Sequence, residues 1–166
     1  MRIRLLSRVK SLGGGTIVLL LIVLVILLWS NLTQWRSSSL DTVRCDSIIN
    51  VHKEDKLLSV RLKYCFLGND GIATLSGFLK ESDKDLVNIS RHVFFKYKQI
   101  DNGVYLENTH TNISLQDNAS SDELNNLLPD FYTSSGARTN FQVYMQQPGG
   151  YVFVKEFTPA FYCTKQ

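Results

Sequence analysis

The feature that most restricts what this chain can fold into is a run of 18 residues without a charge, Leu12 to Trp29. Within it, Ile17 to Leu28 is unbroken Ile, Leu and Val. As a helix the run would extend about 27 Å, close to the apolar thickness of a bilayer. The sequence therefore predicts a membrane helix over 12–30, behind a basic tail over 1–11. Arg2, Arg4, Arg8 and Lys10 precede the run, and only Arg36 and Arg44 follow closely, near Asp41 and Asp46. This cation bias predicts a cytoplasmic N-terminus and an outer C-terminus, with Trp29 and Trp35 at the outer interface. A cleaved secretory signal is the competing reading. It would end at a small-x-small site, whereas Leu28 and Trp29 close this run and Ser37-Ser38-Ser39 lies well beyond it.

The charge balance changes once the tail is set aside. Four of the 18 basic residues sit there, leaving 14 against 15 acidic residues in the rest of the chain. A domain near neutrality has no cationic face for phosphates, which argues against direct nucleic-acid binding.

Beyond a polar stalk over 31–41, the domain over 42–166 reads with a period of two. Leu58, Val60, Leu62, Tyr64 and Phe66 alternate with Ser59, Arg61, Lys63 and Cys65, as in a half-buried strand. Gly68-Asn69-Asp70-Gly71 predicts a turn, with Ile72 to Leu79 as the hairpin partner. Val93, Phe95 and Tyr97 continue the alternation, which Phe94 breaks. Asp101-Asn102-Gly103 turns the chain into Val104 to Leu115. Phe141 to Gln147, Pro148-Gly149-Gly150 and Tyr151 to Phe157 predict another hairpin, followed by a short strand over Phe161 to Thr164 after Pro159. Ser120 and Glu123 stand at capping-box spacing before Leu124, Leu127 and Leu128, predicting a helix of about two turns that Pro129 ends. Seven or eight antiparallel strands with one short helix predict a small barrel or a strongly curved sheet.

Searches for chemistry give little. His52, His92 and His110 stand far apart, and no HExxH, GxSxG or Gly-rich phosphate loop occurs, so neither an enzyme nor a metal or other cofactor is expected. The inward-reading set is Leu58, Val60, Leu62, Tyr64, Phe66, Val93, Phe95 and Tyr97. It forms the core of a filled barrel or lines a cavity in an open one. Cys45, Cys65 and Cys163 are odd in number, so one bridge leaves one thiol over. Cys65 lies on the polar face of its strand. The pairing favoured is Cys45 with Cys163, which ties the two ends of the domain together, with three unpaired thiols as the alternative. Sequons at Asn31, Asn88, Asn112 and Asn118 would make the chain a type II glycoprotein in a eukaryotic setting.

Three stretches carry a resemblance: VFFKYKQIDNGVYLEN from Val93 to Asn108, SLQDNASSDELNNLLPDFY after it, and the closing TNFQVYMQQPGGYVFVKEF. With the basic tail and single anchor, they resemble the FidL-like inner-membrane proteins of enteric bacteria. More distantly they are similar to ToxS and VtrC, periplasmic companions of ToxR-type transmembrane transcription regulators. The three cysteines depart from the ToxS pattern. The resemblance implies a lipocalin-like domain in the periplasm that binds the outer domain of such a regulator and stabilises or tunes it. It also implies an alternative, a sensor or carrier of a small amphipathic ligand such as a bile salt.

Overall fold

The computed structural model of the chain describes residues 15, 17–29, 40, 42–82, 84–147 and 149–166. The chain divides into two units, Met1–Ser37 and Ser38–Gln166. In the first, residues 17–29 are helical, with large apolar side chains 43% to 74% exposed. Among the described residues no helix is long and apolar enough to cross a membrane. The remainder of the expected span 12–30, the tail 1–11 and all of the stalk 31–41 except Leu40 lie outside them.

The second unit is a closed barrel of eight antiparallel strands. In chain order they are β1 (Arg44–Lys53), β2 (Lys56–Leu67), β3 (Asp70–Glu81), β4 (Val87–Ile100), β5 (Gly103–Ile113), β6 (Arg138–Gln146), β7 (Gly150–Lys155) and β8 (Thr158–Lys165). Each strand pairs with the next, and β8 returns to β1. Alternation explains why: every second residue of β2 and β4 is buried while its neighbours face out. Phe94, which breaks the polar alternation, is an outward residue 37% exposed, and the β4–β5 register shifts between it and Phe95. At Gly77 a Cβ would run into the Ser59 carbonyl, so glycine there lets β3 lie tightly against β2 as the sheet curves.

The strands extend beyond the sequence limits. The turn after β2 is only Gly68 and Asn69, and β3 runs from Asp70 to Glu81 rather than from Ile72 to Leu79. Pro159, expected before the last strand, lies inside β8. It pairs with Val154 just beyond a register shift between Phe153 and Val154, at a position where the β7 ladder needs no N–H from it.

The two ends of the barrel are sealed differently. Where the chain enters, Leu40 and Val43 are buried, and the Leu40 N–H donates to Gln99 Oε1 at 3.1 Å. Leu40 thus packs with the barrel although the sequence places it in the stalk. The other end is covered by the connection from β5 to β6. Its helix is Ser121–Asn125, shorter than expected, with Ser120 Oγ accepting from Glu123 N as the capping box predicts and the Ser120 hydroxyl also donating to Glu123 Oε2. Beyond Pro129 a turn of 3-10 helix, Asp130–Tyr132, buries Phe131 and Tyr132, an element absent from the sequence reading.

Candidate functional site: the filled interior and the seam

All eight inward-reading residues point into the barrel and are buried, Tyr97 at 7% exposure being the least so. They pack against one another and against the closing strands. The Phe66, Tyr64, Phe153 and Phe161 rings form a cluster of near-parallel rings: Tyr64 lies 5.6, 5.5 and 6.0 Å from Phe66, Phe153 and Phe161, and Phe153 lies 4.6 Å from Phe161. Phe95 meets Tyr64 and Phe66 edge-on, and Phe131 of the cap meets Phe95 at 5.8 Å. Such pairs add about 0.5–1.5 kcal/mol each beyond area burial. Tyr64 and Tyr132 hydroxyls share a buried hydrogen bond of 2.7 Å, which joins the cap to the barrel floor. Burial pushes the Tyr132 phenol up to about 12 and the Tyr64 phenol well above its ordinary value, the latter also through Tyr132 beside it. Both stay neutral over any ordinary pH.

One charged pair reaches the interior. Arg91 is 1% exposed, and its Nε donates to Asp117 Oδ2 at 2.9 Å, with further bonds from its guanidinium to the Ala119 carbonyl and Ser121 Oγ. Asp117 also accepts from the N–H groups of Ser90 and Ala119. Burial opposes its negative charge, but Arg91 and these two N–H groups outweigh that and hold its carboxyl below the ordinary range. The pair clamps the strap leading into the capping helix onto β4. Asn118 reinforces it, its backbone and side chain both bonding the Asn88 backbone. Nothing in the sequence pattern marked Arg91, which sits at an inward position of a strand otherwise lined with apolar residues. Asp117 arrives from a loop 26 positions away.

The cysteines sort by parity. Cys45 and Cys163 are inward, 2% and 0% exposed, and joined as a disulfide with Cα atoms 5.3 Å apart, whereas Cys65 is free and faces outward. The bridge lies where the hydrogen-bond ladder is thinnest. β1 and β8 pair only through Cys45 with Lys165 and Asp46 with Thr164, extended by the Gln166 N–H donating to the Arg44 carbonyl. Above this point the strands part, leaving a cleft of about 520 Å3 lined by Ser47, Ile48, Ile49, Asn50 and, on β8, by Ala160, Phe161 and Tyr162.

Backbone alternation fixes which groups face the cleft. Arg44 turns its carbonyl to β8, while Val43 turns its own to Phe66 N of β2. Successive residues of a strand bond to opposite sides, so Asp46, Ile48, Asn50 and His52 address the seam. On β8 the Lys165 N–H donates to Gly149 and the Gln166 N–H to Arg44, so Thr164 and Tyr162 address it from the other side. Only Asp46 and Thr164 are paired across it. Ile48 and Tyr162 are 70% and 47% exposed. Alternation does not say where an uncovered edge of the sheet would lie, although an apolar residue on the solvent face of β1 and a proline near the last strand are both visible in the sequence.

The β4–β5 register brings two of the histidines onto neighbouring strands, His92 opposite Asn112 and His110 opposite Phe94. His92 Nδ1 shares a hydrogen bond with Thr74 Oγ1, and His110 stacks on Phe94. Among the described residues no group of three or more His, Cys, Asp or Glu could hold a metal ion.

No curated protein and no solved structure matches this chain. Residues 42–163, from just before β1 to the bridged cysteine of β8, match the family described as the YqeJ C-terminal domain. Since the match takes in the whole barrel and well over half of the chain, the protein belongs to the YqeJ C-terminal domain family.

Proposed function

We propose that this protein is a non-enzymatic accessory subunit, anchored in the bacterial inner membrane with its barrel in the periplasm. There it binds a ToxR-like transmembrane transcription regulator and stabilises or tunes it. The observation that carries this reading is the seam: a barrel filled by its own aromatic rings offers its chemistry on the outside, at strand edges left open among the described residues. The apolar run behind four cations supplies the anchor and the orientation, and the resemblance to FidL-like and ToxS-like chains supplies the class of partner. An anchor confines barrel and regulator to one surface, so a modest contact between their outer domains stays assembled. Carriage of an amphipathic ligand is the weaker reading, because Phe131 and Tyr132 occupy the space above Tyr64 and Phe95 that such a ligand would take.

Deletion of the residues beyond Leu40 tests the role. The expected result is loss of regulator abundance and of transcription from its target genes. Exchange of residues 12–30 for an unrelated membrane span should leave both nearly intact. Unchanged abundance, protease resistance and output after the deletion, with and without bile-like amphiphiles, would sink the proposal.

A further inference from the structure

We infer that the β1–β8 seam is a strand-receiving site, in which an extended segment of a partner chain pairs with the free edge of β1 along Ile48, Asn50 and His52. This names the contact within the accessory role proposed above and rests on that reading for the identity of the occupant.

The case begins with main-chain groups. Ile48, Asn50 and His52 each direct an N–H and a carbonyl away from β2, and among the described residues no strand pairs with these groups. Tyr162 does the same on β8. A row of donors and acceptors at strand spacing is chemically complementary to another extended backbone, and to little else.

Edges left open in this way are usually blunted by proline, lysine or a covering segment. Proline is present at position 159 of β8, paired with Val154, so it blunts the opposite wall and leaves the edge of β1 without one. Lys53 lies at the far end of β1 and is drawn to the Asn126 carbonyl of the cap, away from the cleft. The opening has a mixed lining, with Asp46, Ser47, Asn50 and Thr164 beside Ile48, and the half-buried Ile49, Val51 and Phe161 lie on its inner side. A visiting strand would therefore meet an apolar layer on its inward side, and would carry small or apolar residues at alternate positions.

The occupant is one strand rather than a second barrel. The free edges are the two walls of a wedge, closed at its base by the Cys45–Cys163 bridge. A single extended segment can enter between them, whereas a whole sheet edge of another copy would be held off by the opposite wall.

The test uses the full chain in detergent micelles, with a Gly/Ser linker and an alternating Thr-Val strand appended after Gln166. Tethering makes sequence-tolerant main-chain pairing detectable without the natural partner. Amide hydrogen exchange at Ile48, Asn50 and His52 should slow at least ~10-fold, with Leu75 of β3 unmoved. A control strand with proline at every second position should give no slowing. Asn50→Pro, which removes an N–H on the seam side and leaves the β2 ladder whole, should cancel the effect of the Thr-Val strand. Unchanged seam amides, or equal slowing by the proline strand, would overturn the inference. So would slowing of the same amides in the untethered chain as its concentration rises, which would give the seam to a second copy. If the tethered strand pairs but deletion of the barrel spares the regulator, the accessory role falls and the seam stands. If the deletion harms the regulator and the tethered strand does not pair, the dock lies elsewhere.

Discussion

The walls of this barrel are not equally made. From β2 to β5 the strands pair along their lengths, Lys56 with Glu81 through Leu67 with Asp70, and Asp70 with Lys96 through Leu79 with Val87. From β8 to β1 the sheet is held by two residue pairs and a disulfide. The wall is closed by cooperative hydrogen bonding and by local turns, each strand paired to its sequence neighbour. The seam joins the two ends of the domain, so its closure must overcome the entropy of a loop about as long as the domain itself. The covalent bond meets that cost in place of a ladder, and the edges above it remain available.

The most direct way to break the contrast is to remove the bond. Cys163→Ser should lower stability by about 4–5 kcal/mol, the value of a cross-link closing a loop of this length in the chain-entropy model. In urea titrations the midpoint falls accordingly, and exchange of the β7 and β8 amides should accelerate before that of β3 and β4. Mass-tagged maleimide should label one cysteine in the folded wild type and three after reduction, with Cys65→Ser abolishing the first label and leaving stability unchanged. A loss below about 1 kcal/mol would mean that the two residue pairs suffice, and that seam and wall are alike after all.

The cap provides a second comparison, because its strap is fastened to the wall and not to the seam. Asp117→Ala leaves the Arg91 guanidinium buried without its partner, and should cost about 3–5 kcal/mol. The pH dependence follows from the direction of the shift. The folded carboxyl titrates below its ordinary 3.8, so its contribution is full above that value and is lost as pH falls through the folded one. Acid titration of the wild type should therefore show a loss of stability below about pH 4 that is smaller in Asp117→Asn. An identical acid profile in the variant would remove Asp117 from the account.

The difference between wall and seam also explains what could be read in advance. Alternation over Leu58 to Phe66 and over Val93 to Tyr97 reports facing within one strand, and the structure buries all eight of those residues. The capping box and the Gly68-Asn69 turn are equally local signals and sit where the sequence places them, whereas Glu156 and Phe157, read as the end of a strand, form a turn. Closure is not local. Whether β8 meets β1, and over how many residues, depends on the bend at Pro159 and on the accumulated twist of the strands between them. The Arg91–Asp117 clamp escaped for the same reason, since its partners lie in a strand and in a loop that only the fold brings together. The cysteines were the one long-range signal legible in the sequence, because parity sets Cys65 apart from the inward pair.

The smallest expected effect probes the seam from its upper end. The β7–β8 hairpin turns through Glu156 and Phe157 at φ +49° and +66°, and Phe157 is 93% exposed. Two-residue hairpin turns of this hand favour Asn-Gly, because glycine accepts positive φ freely and a bulky side chain does not. The pair Glu156→Asn and Phe157→Gly should therefore stabilise the barrel, by about 1 kcal/mol given the usual cost of left-handed backbone for L-residues. If Phe157 serves only the fold, the variant should be more stable and equally able to support the regulator. If the exposed ring is part of the partner contact beside the open edge of β8, stability should rise while regulator abundance falls. A double variant that gains no stability would show that the hairpin is already relaxed, and that the weakness of the seam lies wholly in the missing β1–β8 ladder.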